Sequence, residues 1–117
     1  MSQEECAAVA KALELDVVDP SYLGANLMLA GIVDLSGLTP ASRLQFPSGA
    51  TLFITEQNGP CRFPGRELAN AFARPELEMA FPKAAQGRRG LVALVEREGF
   101  LDEGDVVTVI MPRQAKR

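Results

Sequence analysis

Apolar residues at positions 6, 9, 10 and 13 recur at helical spacing behind Ser2-Gln3-Glu4-Glu5, so the chain opens on a predicted amphipathic helix over residues 3–14. Ser2 stands where it can cap the first turn while Glu5 reaches back to it, the pattern of a capping box. Cys6 falls on the apolar stripe and is expected to pack in or near the core. Asp19-Pro20 begins a turn that passes through Tyr22 and stops at Gly24. Residues 26–32, NLMLAGI, form a compact apolar run bounded by glycines and predict a strand. Residues 51–55 alternate apolar and β-branched residues in the manner of a half-buried strand, a further strand is expected at 43–46, and Pro47-Ser48-Gly49 lies between them. That pattern predicts an antiparallel hairpin.

After Asn58-Gly59-Pro60 the period changes. Leu68 and Phe72 stand at i, i+4, which predicts a helix over residues 66–74. Pro75 suits the first turn of a further helix reaching Phe81, and Pro82 is expected to end it. The last section is rich in β-branched residues, with strands predicted at 91–95 and 106–111. Glu98-Gly99 and Glu103-Gly104-Asp105 between them are good turn formers. Residues 112–117 make a basic tail that is expected to fray.

With 117 residues, the chain is long enough for one domain with its own core. A net charge of −3 argues against a generic nucleic-acid binder, which needs a basic surface. No apolar run reaches the roughly 18 residues of a membrane span. The acidic start MSQEECAAV lacks the layout of a signal peptide, so the cytoplasm is the expected location. The chain has no histidine, which removes Ser-His-Asp triads, Cys-His dyads and the usual zinc enzyme sites. Its two cysteines, Cys6 and Cys61, are far apart in sequence and match no CxxC pattern.

What chemistry remains centres on Cys61. It follows a strand and a sharp Asn-Gly-Pro break, with Arg62 beside it. A fixed cation and a following helix N-terminus both favour the thiolate, the form that acts as nucleophile or metal ligand. The alternative is a small apolar loop residue without chemistry. Asn26 is either a turn residue bonded to nearby backbone or an amide presented to a ligand. Arg88 and Arg89, between Gly87 and Gly90, are either an anion site for phosphate or carboxylate or ordinary surface charge paired with carboxylates.

Taken together, these stretches resemble the MOSC domain, the C-terminal domain of molybdenum cofactor sulfurases, over residues 23–109. Gly24-Ala25-Asn26-Leu27 resembles the family's Gly-x-Asn-Leu segment, and residues 44–55 its paired strands. Asn58-Gly59-Pro60-Cys61-Arg62 resembles its Pro-Cys motif. Residues 87–93 and 103–107 resemble its closing hairpin.

The resemblance implies a mainly β, curved, barrel-like domain with a few short helices. It implies that Cys61 carries sulfur as a persulfide or ligates molybdenum in a pterin cofactor. Asn26, Arg62, Arg88 and Arg89 would then face the cofactor. The partners it implies are a pyridoxal-phosphate-dependent cysteine desulfurase or a molybdoenzyme. A degenerate domain acting as a non-catalytic interaction module is the alternative, and a molybdenum oxidoreductase ranks below both. The family's barrel includes strands upstream of this chain's start. A sheet edge is therefore expected near residues 26–32, covered by the first helix or by a second copy in a homodimer.

Overall fold

A computed structural model describes residues 1–59 and 61–113. The chain divides into two compact units, one from Met1–Gly37 with Asn58–Gly90 and one from Leu38–Gln57 with the residues after Gly90. Each is assembled from two separated stretches of sequence. Neither unit is a barrel.

The first unit is helical. Helix α1 spans Gln3–Ala12, and the Glu5 N–H donates to Ser2 Oγ at 3.0 Å, as a capping residue requires. Glu5 does not complete the box in the expected way. Its carboxylate accepts from Ser2 Oγ and from the backbone and hydroxyl of Ser36 instead. Cys6, Val9, Ala10 and Leu13 are buried, so the apolar stripe read from the sequence is the stripe that packs. A single 3-10 turn, Pro20–Leu23, starts at Asp19, whose carboxylate accepts from Ser21 N–H. It stops at Gly24 in the left-handed region, with φ +69.

Residues 26–32 are not a strand. The segment makes one isolated parallel bridge, Ser2 with Leu29. Gln3 N–H donates to the Leu29 carbonyl, Leu29 N–H to the Met1 carbonyl and the Met1 ammonium to the Leu27 carbonyl, a pairing too short to make a strand. The sheet edge expected at this place is therefore absent. The apolar run instead contributes half-buried side chains, Met28 packing against the helical core.

Helices α2 (Arg62–Phe72) and α3 (Leu77–Ala84) complete the unit, with Leu68, Leu77 and Phe81 fully buried. Removing a phenylalanine ring from such a position costs about 3–5 kcal/mol. Pro82 lies inside α3 rather than ending it. A proline there removes one N–H, the one that would have bonded the Glu78 carbonyl. Burial of Phe81 and Ala85 on either side outweighs that loss. The same Glu78 carbonyl faces Gly65 of α2, where a Cβ would sit 2.7 Å from it and 2.9 Å from Phe81 Cβ. Gly65 is what lets the two helices approach so closely.

The second unit is a four-stranded antiparallel sheet in the order β3-β2-β1-β4. Strands β1 (Arg43–Gln45) and β2 (Thr51–Gln57) form the expected hairpin, with Leu44 opposite Leu52. Strand β3 (Leu91–Arg97) pairs with β2, and β4 (Thr108–Ile110) pairs with β1. The two C-terminal strands thus lie at opposite edges and do not form a closing hairpin with each other. Among the described residues helix exceeds strand, and the sheet is open. The fold class is mixed α+β, which corrects the mainly β, barrel-like expectation. Arg43 Nε donates to Glu96 at 2.8 Å, holding that carboxyl below its usual range.

Candidate functional site

Every residue singled out for chemistry lies in the helical unit. The chain leaves β2 at Gln57, and Asn58 N–H donates to the Gly90 carbonyl at 2.9 Å. That bond ties the segment leading to Cys61 to the segment carrying Arg89. Pro60 lies outside the described residues.

Cys61 is free and exposed. It is the residue preceding the first turn of α2, in an extended conformation, and its side chain makes no capping hydrogen bond. The helix therefore begins directly after the cysteine rather than near Gly65, which brings its positive end to the sulfur. Cys6, by contrast, is 5 % exposed, and burial pushes its thiol up from the ordinary range. It borders a groove of about 520 Å³ that Ala10, Lys11, Val18 and Met28 also line.

The two adjacent arginines part company. Arg88 is exposed, with Nη1 3.4 Å from the Ala84 carbonyl. Arg89 is only 9 % exposed. Its Nη2 donates to the Leu23 carbonyl at 2.7 Å, and Nη1 lies 3.9 Å from the Met1 sulfur. Its Nε is buried and has no hydrogen-bond partner among the described residues. Burial lowers the Arg89 pKa, and the negative charge of the Cys61 thiolate, then that of Cys6, acts in the opposite direction. Arg89 thus sits within electrostatic reach of Cys61, while Arg88 faces solvent.

Arg62, although next to Cys61 in sequence, turns toward Glu78 at 3.9 Å, a carboxylate it shares with Arg66. Asn26 is exposed, and its side chain hydrogen-bonds to none of the described residues. Of the four accessory residues expected around the cysteine, Arg89 alone is buried, and Arg62, Arg88 and Asn26 are exposed.

Two residues around this site were not legible as part of it. Ser36, buried in the 3-10 turn Leu35–Gly37, donates from Oγ to Glu5 at 2.9 Å and accepts from Gly90 N–H at 2.8 Å. The Glu5–Ser36–Gly90 chain thereby fixes the backbone that carries Arg89. Glu5 signalled only a helix cap, and Ser36 gave no signal of its own.

Among the described residues no group of three or more His, Cys, Asp and Glu side chains could hold a metal ion by itself. No helix of the described residues is long and apolar enough to cross a membrane.

Comparison with known proteins places this arrangement in a family. The chain is 39% identical over 110 residues to YuaD of Bacillus subtilis (strain 168), a protein provisionally named for metal-sulfur cluster biosynthesis. It spans 57% of that relative's length. A crystal structure of the Bacillus subtilis YUAD protein superposes with a TM-score of 0.93 at 38% identity, covering 97% of this chain and 63% of the other. The MOSC domain model matches residues 1–108, extending past the 23–109 span of the motifs to include α1. The chain belongs to the MOSC domain family.

Proposed function

We propose that this protein carries sulfur on Cys61 as part of metal–sulfur chemistry. The observation that carries the reading is the placement of a free, exposed thiol at the start of α2, uncapped and within electrostatic reach of the buried Arg89. An exposed thiol at a helix N-terminus is accessible to a sulfur donor and faces the helix's positive end. The relative's name points to the same area of chemistry.

The step is a sulfane-sulfur transfer. The Cys61 thiolate attacks the outer sulfur of a donor persulfide, a new S–S bond forms on Cys61, and the donor's S–S bond breaks. The donor cysteine leaves as its thiolate, and no external oxidant is needed. A pyridoxal-phosphate-dependent cysteine desulfurase is the class of donor that presents such a persulfide. The pyridoxal phosphate belongs to the donor.

A molybdenum-pterin cofactor is the second reading, favoured by the same lone thiol. A dithiolene already supplies sulfur ligands, so one protein thiolate suffices at the metal. Cys61 would hold it, with the exposed Arg62, Arg88 and Asn26 available to the pterin phosphate. When bound, such a group would supply two-electron redox chemistry. The groove described above is bordered by Cys6 rather than Cys61, so it offers the pterin no enclosure beside that metal ligand.

The experiment is incubation with a persulfide-charged cysteine desulfurase, followed by intact mass measurement and peptide mapping. A gain of one sulfur atom on Cys61, lost in Cys61→Ala, is expected. Molybdenum in the purified protein with no sulfur adduct would favour the cofactor instead. Neither signal would leave a non-catalytic interaction module.

A further inference from the structure

The sheet of the second unit is open, and its two edges are guarded unequally. Strand β4 is three residues long, and Pro112, which has no N–H to offer, follows it closely. A short strand beside a proline is a common way to blunt an edge. Strand β3 runs for seven residues, holds no proline or lysine, and among the described residues pairs with β2 alone. The β2–β3 register skips Thr55 on β2 and Glu96 on β3, so Leu91–Val95 is regular along its own strand.

The backbone groups that β3 leaves free can be named. Ile54 N–H donates to the Ser42 carbonyl and Phe46 N–H to the Ala50 carbonyl, so Ala50, Leu52 and Ile54 turn their polar groups to the β1 side. Phe53 therefore turns toward β3, and Leu94 opposite it turns back toward β2. By alternation Leu91, Ala93 and Val95 point their N–H and C=O groups away from the sheet. The side chains there are apolar and open to solvent, Val92 at 40 %, Leu94 at 62 % and Val95 at 65 % exposure.

We propose that the free edge of β3 is a self-pairing surface, on which a second copy lays its own β3 antiparallel about a twofold axis beside Ala93. Ala93 is the midpoint of the regular stretch, so this register sets Leu91 opposite the partner's Val95 and Val92 opposite the partner's Leu94. Every outward N–H and C=O of the stretch then finds its counterpart, and every facing pair of side chains is apolar. Glu96 and Arg97 fall outside the paired stretch. The two copies of Glu96 stand about 20 Å apart, beyond the Debye length, so no like charges meet. The charges that would turn away an identical strand are missing from this one. Pairing uses up both β3 edges and leaves only the guarded β4 edges, so association stops at two. The self-association edge expected at residues 26–32 is thereby moved to β3, and it involves none of the sulfur chemistry at Cys61.

The test is sedimentation of the full chain across a concentration series. The wild type should pass from monomer to dimer as concentration rises. Val92→Lys/Leu94→Lys would set ammonium groups directly opposite one another, and this variant should stay monomeric, as should Val92→Glu/Leu94→Glu. Both positions are exposed in the single chain, and circular dichroism checks that each variant is folded. An equimolar mixture of the two folded variants should recover the dimer, because each ammonium then faces a carboxylate. Ile110→Lys, on the β4 edge, should associate as the wild type does. A wild type still monomeric at about 1 mM, the millimolar end of the affinity scale, would overturn the proposal. So would charged variants that dimerise on their own, or folded variants that fail to recover the dimer on mixing.

Discussion

Gly65→Ala tests the packing that holds α2, and with it the cysteine at its start. An added methyl would lie 2.7 Å from the Glu78 carbonyl oxygen, 2.9 Å from Phe81 Cβ and 3.0 Å from Glu78 Cα. Two of these atoms are backbone and the third is the rigid root of a fully buried ring, so no flexible tip can give way. Relief requires α2 and α3 to separate by several tenths of an ångström along the line that packs Leu68, Leu77 and Phe81. Overpacking of this kind costs about 1–3 kcal/mol. Alanine regains at most about 1 kcal/mol of helix propensity over glycine, and less in a first turn. The net expectation is a loss of about 1–2 kcal/mol. With a urea slope of about 1–3 kcal/mol per molar, the circular-dichroism midpoint should fall by roughly 0.3–2 M. An unchanged or higher midpoint with an unchanged slope would show that the helices do not meet at Gly65, and the account of α2's placement would fail with it.

Ser36→Ala removes the acceptor of the buried Gly90 N–H and one donor to Glu5, and should lower stability by about 1–3 kcal/mol in the same denaturation experiment. Cys6 keeps its proton in the folded state beyond the pH at which the unfolded chain, with an ordinary value near 9.0, loses it. Its contribution is fully present below that pH and is lost as pH rises through the raised folded value. Unfolding free energy measured across the alkaline range should decline there, and Cys6→Ala should flatten the decline.

Local patterns carried far in the sequence, and long-range partners did not. The Ser2 cap, the Asp19-Pro20 turn, the Pro47-Ser48-Gly49 hairpin and the buried stripe of α1 all depend on neighbours within a few residues. Residues 26–32 misled because an apolar run between glycines fits a strand equally well, and the bonds its backbone makes go to the chain's first four residues, Glu4 through its carboxylate. Pro82 misled because a propensity rule met a tertiary one, the burial of Phe81 and Ala85 around it. The placement of β4 beside β1 rather than β3 is invisible to periodicity, which records no pairing. At the site, Cys61 was legible from its turn and its helix. Arg88 and Arg89 read as twins because adjacency in sequence says nothing of which one the fold buries. Ser36 reaches Glu5 and Gly90 across about thirty and fifty positions, a distance at which pattern reading has no reach.

The interleaving of the two units bears on the order in which the chain folds. Strands β2 and β3 are separated by residues 58–90, and bringing their ends together from an open loop of that length costs about 3 kcal/mol of chain entropy. The Asn58–Gly90 hydrogen bond stands at the base of that loop, next in sequence to the paired Gln57 and Leu91. Once α2 and α3 have collapsed and that bond is made, the strands no longer bear this entropy, because their ends already meet. The β1–β2 hairpin can form alone, but β3 has to wait for the helices. Slowed helix packing should therefore appear as slowed sheet formation, with Gly65→Ala delaying the late rise of strand signal in refolding although it touches no strand.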